Sequence, residues 1–376
     1  MNSTLPTLLP SHPITVGVVG ASGYSGQEAL RLLVGHPAVR IGFVAARSHA
    51  GQPFSSLYPA FKGVLDAPCL GDDEWPTQAP QVDALLLALP HGLAASQVQP
   101  HWLAQGLKAI DLSGDFRLPT PELYATWYEQ PHPQPQLLPQ AVYGLSEWVP
   151  PSQWASTQLV ANPGCYPTCT LLPLLPLLQA GALDTSVPLV VDAKSGVSGA
   201  GRGLSLGVHY AEANESTKAY KVEGHRHIPE MESHLQGLAG LPSPLPPLSF
   251  VPHLLPLNRG MLVTTYAQLK PEWLQTGVGG DRPWQRLRAV FEAAYAHQPF
   301  VHLCTQQESQ VPEVRWVRGS NRCAMGWHVC QRTGRVVLVS VLDNLLKGAA
   351  GQAVQNLNLL FGLPQTLGLE ALALLP

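Results

Sequence analysis

The chain has 376 residues, long enough for two domains, each with a core of its own. It carries 22 Lys+Arg against 25 Asp+Glu, and a formal net charge of −3 supplies no basic field, so nucleic acid is excluded as an expected partner. An apolar content of 45% with 12% charged residues fits a compact soluble enzyme, and the most apolar run, Leu171 to Leu178, is too short to span a bilayer and holds Pro173 and Pro176.

Met1 to Pro13 has no basic n-region and no continuous apolar stretch, so it reads as a short disordered leader rather than a signal peptide. The 37 prolines gather in connections such as Pro131 to Pro139 and Pro242 to Pro247. Cys69, Cys165, Cys169, Cys304, Cys323 and Cys330 form no CxxC pair, and no histidine cluster completes a zinc spacing. Scattered cysteines of this kind point to reduced thiols in the cytosol and to no metal.

In chain order, Ile14 to Val19 is an apolar, β-rich run that ends in glycines. Tyr24 to Gly35 places Leu30, Leu33 and Val34 on one helical face, and Val39 to Ala45 reads as a second strand. That is a βαβ unit, with a parallel sheet as its consequence. Ala84 to Leu89 and Leu107 to Leu112 continue the strands, with a helix expected from Gly92 to Gly106 between them and the sheet running to about Pro150. After Cys165 the pattern changes. Strands are expected at Val187 to Asp192, Phe250 to His253, Leu262 to Leu269 and Val336 to Leu342, with helices at Trp284 to Ala296 and Leu345 to Phe361. Irregular connections among them suit an α+β domain. The fold class is therefore α/β: a Rossmann-type doubly wound nucleotide-binding domain plus an α+β catalytic and oligomerisation domain.

The turn between the first strand and the first helix is Gly20-Ala-Ser-Gly23-Tyr-Ser-Gly26. Glycines there let a pyrophosphate approach the backbone, and the helix N-terminus offers unpaired N–H groups. Gly20, Ser22, Gly23, Tyr24, Ser25 and Gly26 are the expected nucleotide contacts in that strand-turn-helix context. An NAD site usually ends its second strand with an acidic residue. Here the strand runs into Arg47 and Ser48 with no acid, so a 2′-phosphate and hence NADP(H) are favoured.

Asn162-Pro-Gly-Cys165-Tyr-Pro-Thr168 follows a short strand, Leu159 to Ala161, and precedes a helical stretch. The turn presents Cys165 at or near a helix N-terminus, where a thiolate is favoured. A lone cysteine is otherwise a packing residue, and local spacing leaves both readings open. Gly224-His-Arg-His-Ile-Pro-Glu230 offers a base, with Glu230 able to orient His227. Equally, His227 could cap the helix that Pro229 and Glu230 begin. Lys194-Ser-Gly-Val-Ser-Gly-Ala-Gly-Arg202 and Asp111-Leu-Ser-Gly-Asp-Phe-Arg117 suit an anion, through Lys194, Arg202 and Arg117, although either arginine could be an exposed or bridging residue.

These motifs occur in a set order. With Leu89-Pro-His-Gly92, Tyr143-Gly-Leu-Ser-Glu147, Pro252-His-x-x-Pro-x-x-Arg-Gly260 and Asp343-Asn-Leu-x-Lys-Gly-Ala-Ala350, they resemble the N-acetyl-γ-glutamyl-phosphate reductases over Ile14 to about Phe361. That family is related to aspartate-semialdehyde dehydrogenase. The resemblance implies NADPH-dependent reduction of N-acetyl-L-glutamyl 5-phosphate through a thioester, in arginine biosynthesis, by a cytoplasmic homodimer or homotetramer. It implies Cys165 as nucleophile, His227 as base with His225 nearby, and Glu230 in support. Arg117, Asn162, Lys194 and Arg202 would bind substrate, and Pro90, Ser195, Gly196 and Asn344 would join the cofactor site, with Lys347 near it. The backbone N–H groups of Gly164 and Cys165 are the natural oxyanion donors. The expected domains are 1–164 with 343–376, and 165–342. Three rivals stand beside this reading: the same chemistry on a carrier-bound aminoadipyl phosphate in lysine biosynthesis; an aspartate-semialdehyde dehydrogenase, which the motif around Cys165 fits less well; and a non-catalytic NADP-binding sensor.

Overall fold

The computed structural model describes residues 10–276, 280–304 and 311–374, so the expected leader lies outside the described residues as far as position 9. The chain forms two compact units. One ends at Pro163 and resumes over Ala349–Glu370; the other is Gly164–Gly348 with the residues from Ala371 on. Among the described residues, no helix is long and apolar enough to cross a membrane.

The first unit is built on a six-stranded parallel sheet. Its strands are β1 (Ile14–Val19), β2 (Val39–Ala45), β3 (Ala84–Leu87), β4 (Lys108–Asp111), β5 (Ala141–Tyr143) and β6 (Leu159–Ala161). Their order is β2-β1-β3-β4-β6-β5. β1 and β3 are buried along their whole length, because both faces of a doubly wound sheet are covered. The chain runs from β1 to one side and then to the other, so the switch point lies between β1 and β3. The glycine turn follows β1 there and leads into α1 (Tyr24–Leu33). The single helix expected from Gly92 to Gly106 is two, Leu93–Gln97 and Pro100–Ala104. Pro100 cannot continue a helix and holds Gln99 extended, at φ −97 and ψ 124.

The second unit holds a mixed seven-stranded sheet. Its strands are β7 (Val190–Gly196), β8 (Lys218–Ala219), β9 (Ser249–Leu255), β10 (Met261–Gln268), β11 (Val301–Leu303), β12 (Cys323–Cys330) and β13 (Arg335–Leu342), in the order β11-β12-β13-β10-β7-β9-β8. β7 starts three residues later than Val187, since Pro188 has no N–H for the ladder. Along β10 every second residue is fully buried, marking the face covered by helices. Those helices are α2 (Cys165–Gln179), α3 (His227–Ala239) and α4 (Pro283–Tyr295).

α2 is buried from Tyr166 through Leu178, as an all-round apolar helix must be. Pro173 and Pro176 lie inside it, and neither can donate to the carbonyl four residues back. Hydroxyl groups take those places: Ser340 Oγ donates to the Cys169 carbonyl at 2.6 Å, and Tyr295 Oη donates to the Leu172 carbonyl at 2.5 Å. Tyr295→Phe and Ser340→Ala should each lower unfolding stability by about 1–3 kcal/mol, the cost of a buried carbonyl left without a donor. Urea unfolding checks this, and unchanged midpoints in both variants would mean the helix has another way to satisfy the two carbonyls.

The helix expected from Leu345 to Phe361 begins instead as a π-helical turn, Leu346–Ala350, followed by α5 (Gly351–Leu360). The return to the first unit also comes later than residue 343. The reason is anchoring. Asp343 accepts from Arg259 Nε at 3.1 Å and from the Gly319 N–H at 2.8 Å. Asn344 Oδ1 accepts the Gly260 N–H at 2.7 Å, and its Nδ2 donates to Ser198 Oγ at 2.9 Å. α5 is tied into the first unit by buried amides: Gln352 and Asn356 both donate to the Gly144 carbonyl, and Asn356 also donates to Asn162 Oδ1.

Candidate active site

In the first unit, the three turn glycines have three different reasons. Gly20 has φ +79, and a Cβ there would lie 2.2 Å from the Ala88 carbonyl oxygen. A Cβ at Gly26 would lie 2.4 Å from the Gly20 carbonyl, so this glycine lets α1 pack on the turn. At Gly23 the nearest atom is 3.4 Å away, and this residue is the extended N-cap of α1. The backbone is therefore bare and approachable at the helix N-terminus, which fits a dinucleotide pyrophosphate. Tyr24 and Ser25 open α1, and the Ser22 carbonyl accepts the Tyr58 hydroxyl at 2.7 Å.

Arg47 opens a short 3₁₀ turn directly after β2. Although no acid adjoins it in sequence, the fold brings one: Asp72 Oδ2 lies 3.2 Å from Arg47 Nε, with both side chains exposed. Such a pair is weak and readily exchanged for a phosphate. Ser48 lies in the same turn, and Pro90 in the loop between β3 and the helix Leu93–Gln97. That loop is held by Asp115, which accepts the N–H groups of Gly92 at 2.7 Å and Ala95 at 2.9 Å.

Two candidate substrate contacts in this unit have structural partners. Arg117 is buried, and its Nε and Nη2 donate to the carbonyls of Asn162 and Leu112. Asn162 is buried as well, with its amide between Ala349 and Asn356. Asp111 sits beneath them and accepts from both the N–H and the hydroxyl of Ser113. Burial, then the neighbouring Asp115 charge, holds its carboxyl well above the ordinary range.

In the second unit, Cys165 is the first residue of α2, following Gly164 as N-cap, and is partly exposed. The residues around it are aromatic. The Tyr166 ring meets His225 and His227 edge-on, each at 5.9 Å between centroids, and Phe250 at 5.2 Å. The two imidazoles lie 4.8 Å apart. Tyr220 donates its hydroxyl to that of Tyr166 at 3.1 Å. Burial pushes the Tyr166 phenol up, and pushes Tyr220 up to about 12, with the Cys165 charge adding to both. Tyr166, Tyr220 and Phe250 were not anticipated as part of the site. Adjacency to Cys165 could have flagged Tyr166, whereas nothing local flags Tyr220 or Phe250.

The two histidines differ. The His227 backbone N–H donates to His225 Nδ1 at 3.1 Å, so His225 is the residue that caps α3. An accepting Nδ1 puts the ring proton of neutral His225 on Nε2. Burial, then the charges of Lys221 and Arg226, hold its pKa down at about 4. His225 thus stays neutral at physiological pH.

Glu230 gains a partner, and two expectations, the Gly164 oxyanion donor and Lys194, need correction. Glu230 is fully buried, and its Oε1 accepts the Gly164 N–H at 2.8 Å, so its carboxylate grips the turn before Cys165. The Gly164 N–H, engaged in this way, is not an oxyanion donor. Lys194 ion-pairs with Asp192 on the sheet, and its neighbour Ser195 points to the opposite face, where Tyr166 reaches it. By strand alternation Lys194 therefore faces away from the Cys165 helix. Gly196 is explained by backbone crowding, since a Cβ there would lie 2.8 Å from the Leu257 carbonyl. Ser195, Gly196 and Asn344 thus have partners within the second unit. Arg202 is exposed. Lys347 is fully buried, with Nζ 5.9 Å from the Phe300 ring centroid. Among the described residues, no group of three or more His, Cys, Asp or Glu is placed to hold a metal.

Residues 15–155 match the semialdehyde dehydrogenase NAD binding domain, and residues 165–344 match the semialdehyde dehydrogenase dimerisation domain. Aspartate semialdehyde dehydrogenase II from Vibrio cholerae superposes with a TM-score of 0.68 at 18% identity, covering 93% of this chain and 99% of that one. An N-acetyl-gamma-glutamyl-phosphate reductase from Brevibacillus brevis is 45% identical over 96% of this chain and 100% of its own length. One from Pseudomonas savastanoi pv. phaseolicola is 47% identical with the same coverage. At that identity from end to end, with Cys165 opening its helix next to Tyr166, whose ring meets both histidines, the chain belongs to the N-acetyl-gamma-glutamyl-phosphate reductase family.

Proposed function

We propose that this chain reduces N-acetyl-L-glutamyl 5-phosphate to N-acetyl-L-glutamate 5-semialdehyde and phosphate, with NADPH, through a thioester on Cys165. The observation that carries this reading is Cys165 at the first position of α2, against the Tyr166 ring on which His225 and His227 pack. Domain roles follow: the unit with the glycine turn binds the nucleotide, and the unit with Cys165 carries the chemistry. Similarity of the second unit to a dimerisation domain supports a homodimer or homotetramer, and six free cysteines suit a cytoplasmic enzyme. No residue of the site favours a carrier-bound substrate or a sensor.

His227 takes the Cys165 thiol proton. The thiolate attacks the acyl carbon, the C–S bond forms as the C–O bond to phosphate breaks, and phosphate leaves with its electron pair. NADPH, when bound, supplies the hydride that reduces the thioester carbonyl. The first-turn amides of α2, which have no acceptor within the helix, stabilise the developing oxyanion. Collapse of the thiohemiacetal returns the electron pair to sulfur and frees the aldehyde, and protonated His227 returns its proton to the thiolate. Dividing the reduction this way replaces one hard step with two easier ones.

The test runs the reaction backwards. Phosphate-dependent reduction of NADP⁺ should occur with N-acetylglutamate semialdehyde and not with aspartate semialdehyde. Equal rates with the two would remove the substrate assignment, and no reaction with either would remove the enzyme.

Arg47 bears on the cofactor. Arg47→Ala should raise KM for NADPH about tenfold, the equivalent of about 1.4 kcal/mol, and leave KM for NADH unchanged. An unaltered preference for NADPH would move recognition of the 2′-phosphate to other residues.

A further inference from the structure

The turn from Asp343 to Gly348 is built to a register that helices seldom adopt. The Gly348 N–H donates to the Asp343 carbonyl, five residues back, at 3.0 Å. Such π turns are rare and gather at functional sites. The start of this one is fixed by the fully buried Asp343 carboxylate, which accepts the Leu345 N–H at 2.9 Å and the Gly319 N–H at 2.8 Å and pairs with Arg259. A buried carboxylate with that many donors cannot drift.

The far end of the same turn meets Cys165. A Cβ placed on Gly348 would lie 2.7 Å from Cys165 Cβ, 3.1 Å from Leu342 Cδ1 and 3.3 Å from the Asp343 carbonyl oxygen. With a Cα–Cβ bond of about 1.5 Å, the bare Gly348 Cα is then about 4 Å from Cys165 Cβ, in van der Waals contact. Gly348 is not at a left-handed position, so its lack of a side chain answers to space rather than to backbone angle.

We propose that Gly348 is a positioning residue for the nucleophile. The π turn, pinned by Asp343 to Arg259 and Gly319, presents bare backbone as a stop against Cys165 Cβ and fixes the direction in which the sulfur leaves α2. Any side chain at 348 displaces Cys165, Leu342 or the turn itself. This inference rests on Cys165 being the nucleophile, but the contact is tested without that assumption.

The experiment is a double-mutant cycle read two ways. Gly348→Ala should lower the thermal midpoint by several degrees in the natural background, and by less than half as much in a Cys165→Gly background, where the opposing Cβ is gone. In the natural background it should also slow alkylation of Cys165 by iodoacetamide, located by mass spectrometry, about tenfold. The same change should cut kcat about 100-fold with KM for NADPH unchanged, as displaced reacting groups do. Equal losses of thermal midpoint in both backgrounds, or alkylation at the natural rate, would overturn the proposal. If Gly348→Ala folds only alongside Cys165→Gly, the contact is upheld; if it folds in neither, the clash lies elsewhere and the proposal falls. An active Cys165→Ser enzyme would defeat the nucleophile assignment and leave the stability coupling standing, so the two failures are told apart.

Discussion

Replacing Cys165 with serine should abolish turnover, lowering kcat by at least about 10⁴-fold, while NADPH should still titrate with its natural affinity. The change keeps the side chain's size and its place at the head of α2. It removes the atom that can ionise near neutral pH and leave again from a thiohemiacetal. Substantial activity in this variant would sink the covalent route. The other cysteines sharpen the result. Cys169, one helical turn further on, is fully buried with Sγ 3.3 Å from Ser340 Oγ, and burial raises the Cys69 thiol. Cys330 is the one to control for. It is partly exposed at the end of β12, and hydrogen bonds from Thr333 lower its pKa. A thiol reagent therefore modifies Cys330 as well, and Cys330→Ser should change the stoichiometry of labelling without changing kcat. Cys169→Ala should likewise leave kcat intact.

Much of this was legible in the residues. β1 and β2 fall at the expected positions because both are short, β-rich runs bounded by glycine or proline turns, signals that act over a few neighbours. The glycine turn was legible for the same reason. β12 was not, because Cys323 to Trp327 are all buried and show no alternation to read. Lys194 was read as part of a glycine-rich loop beyond a strand ending at Asp192, whereas β7 runs on to Gly196 and its alternation sets the side Lys194 takes. Glu230 was placed in the right cluster, and only packing of α3 on α2 reveals that its carboxylate also takes the Gly164 N–H. Tyr220 follows a two-residue edge strand, and no local pattern could have paired its hydroxyl with Tyr166. The π turn at Leu346–Ala350 was read as plain helix, because periodicity does not register one added residue.

The two histidines, which local sequence left unranked, are separated by what each already does. His225 accepts the His227 N–H and is held neutral to about pH 4, so over the working range it has no proton to take up and its accessible nitrogen is occupied. The pH profile of kcat/KM should accordingly keep its acidic limb in His225→Gln and lose it in His227→Asn. His227→Asn should lower kcat/KM by about 10²–10⁴-fold, the range for removing a positioned acid–base group. His225→Gln should cost far less in rate and about 1 kcal/mol in stability through the lost cap. Stability follows a second, independent course. Between its ordinary value of 6.5 and about 4, His225 takes up a proton in the unfolded chain and not in the folded one. The natural protein should therefore lose stability as pH falls through that window, and His225→Gln should show a flatter curve there. An acidic limb that survives in His227→Asn and disappears in His225→Gln would exchange their roles. If it disappears in both, the pair titrates as a unit and the cap cannot be separated from the base.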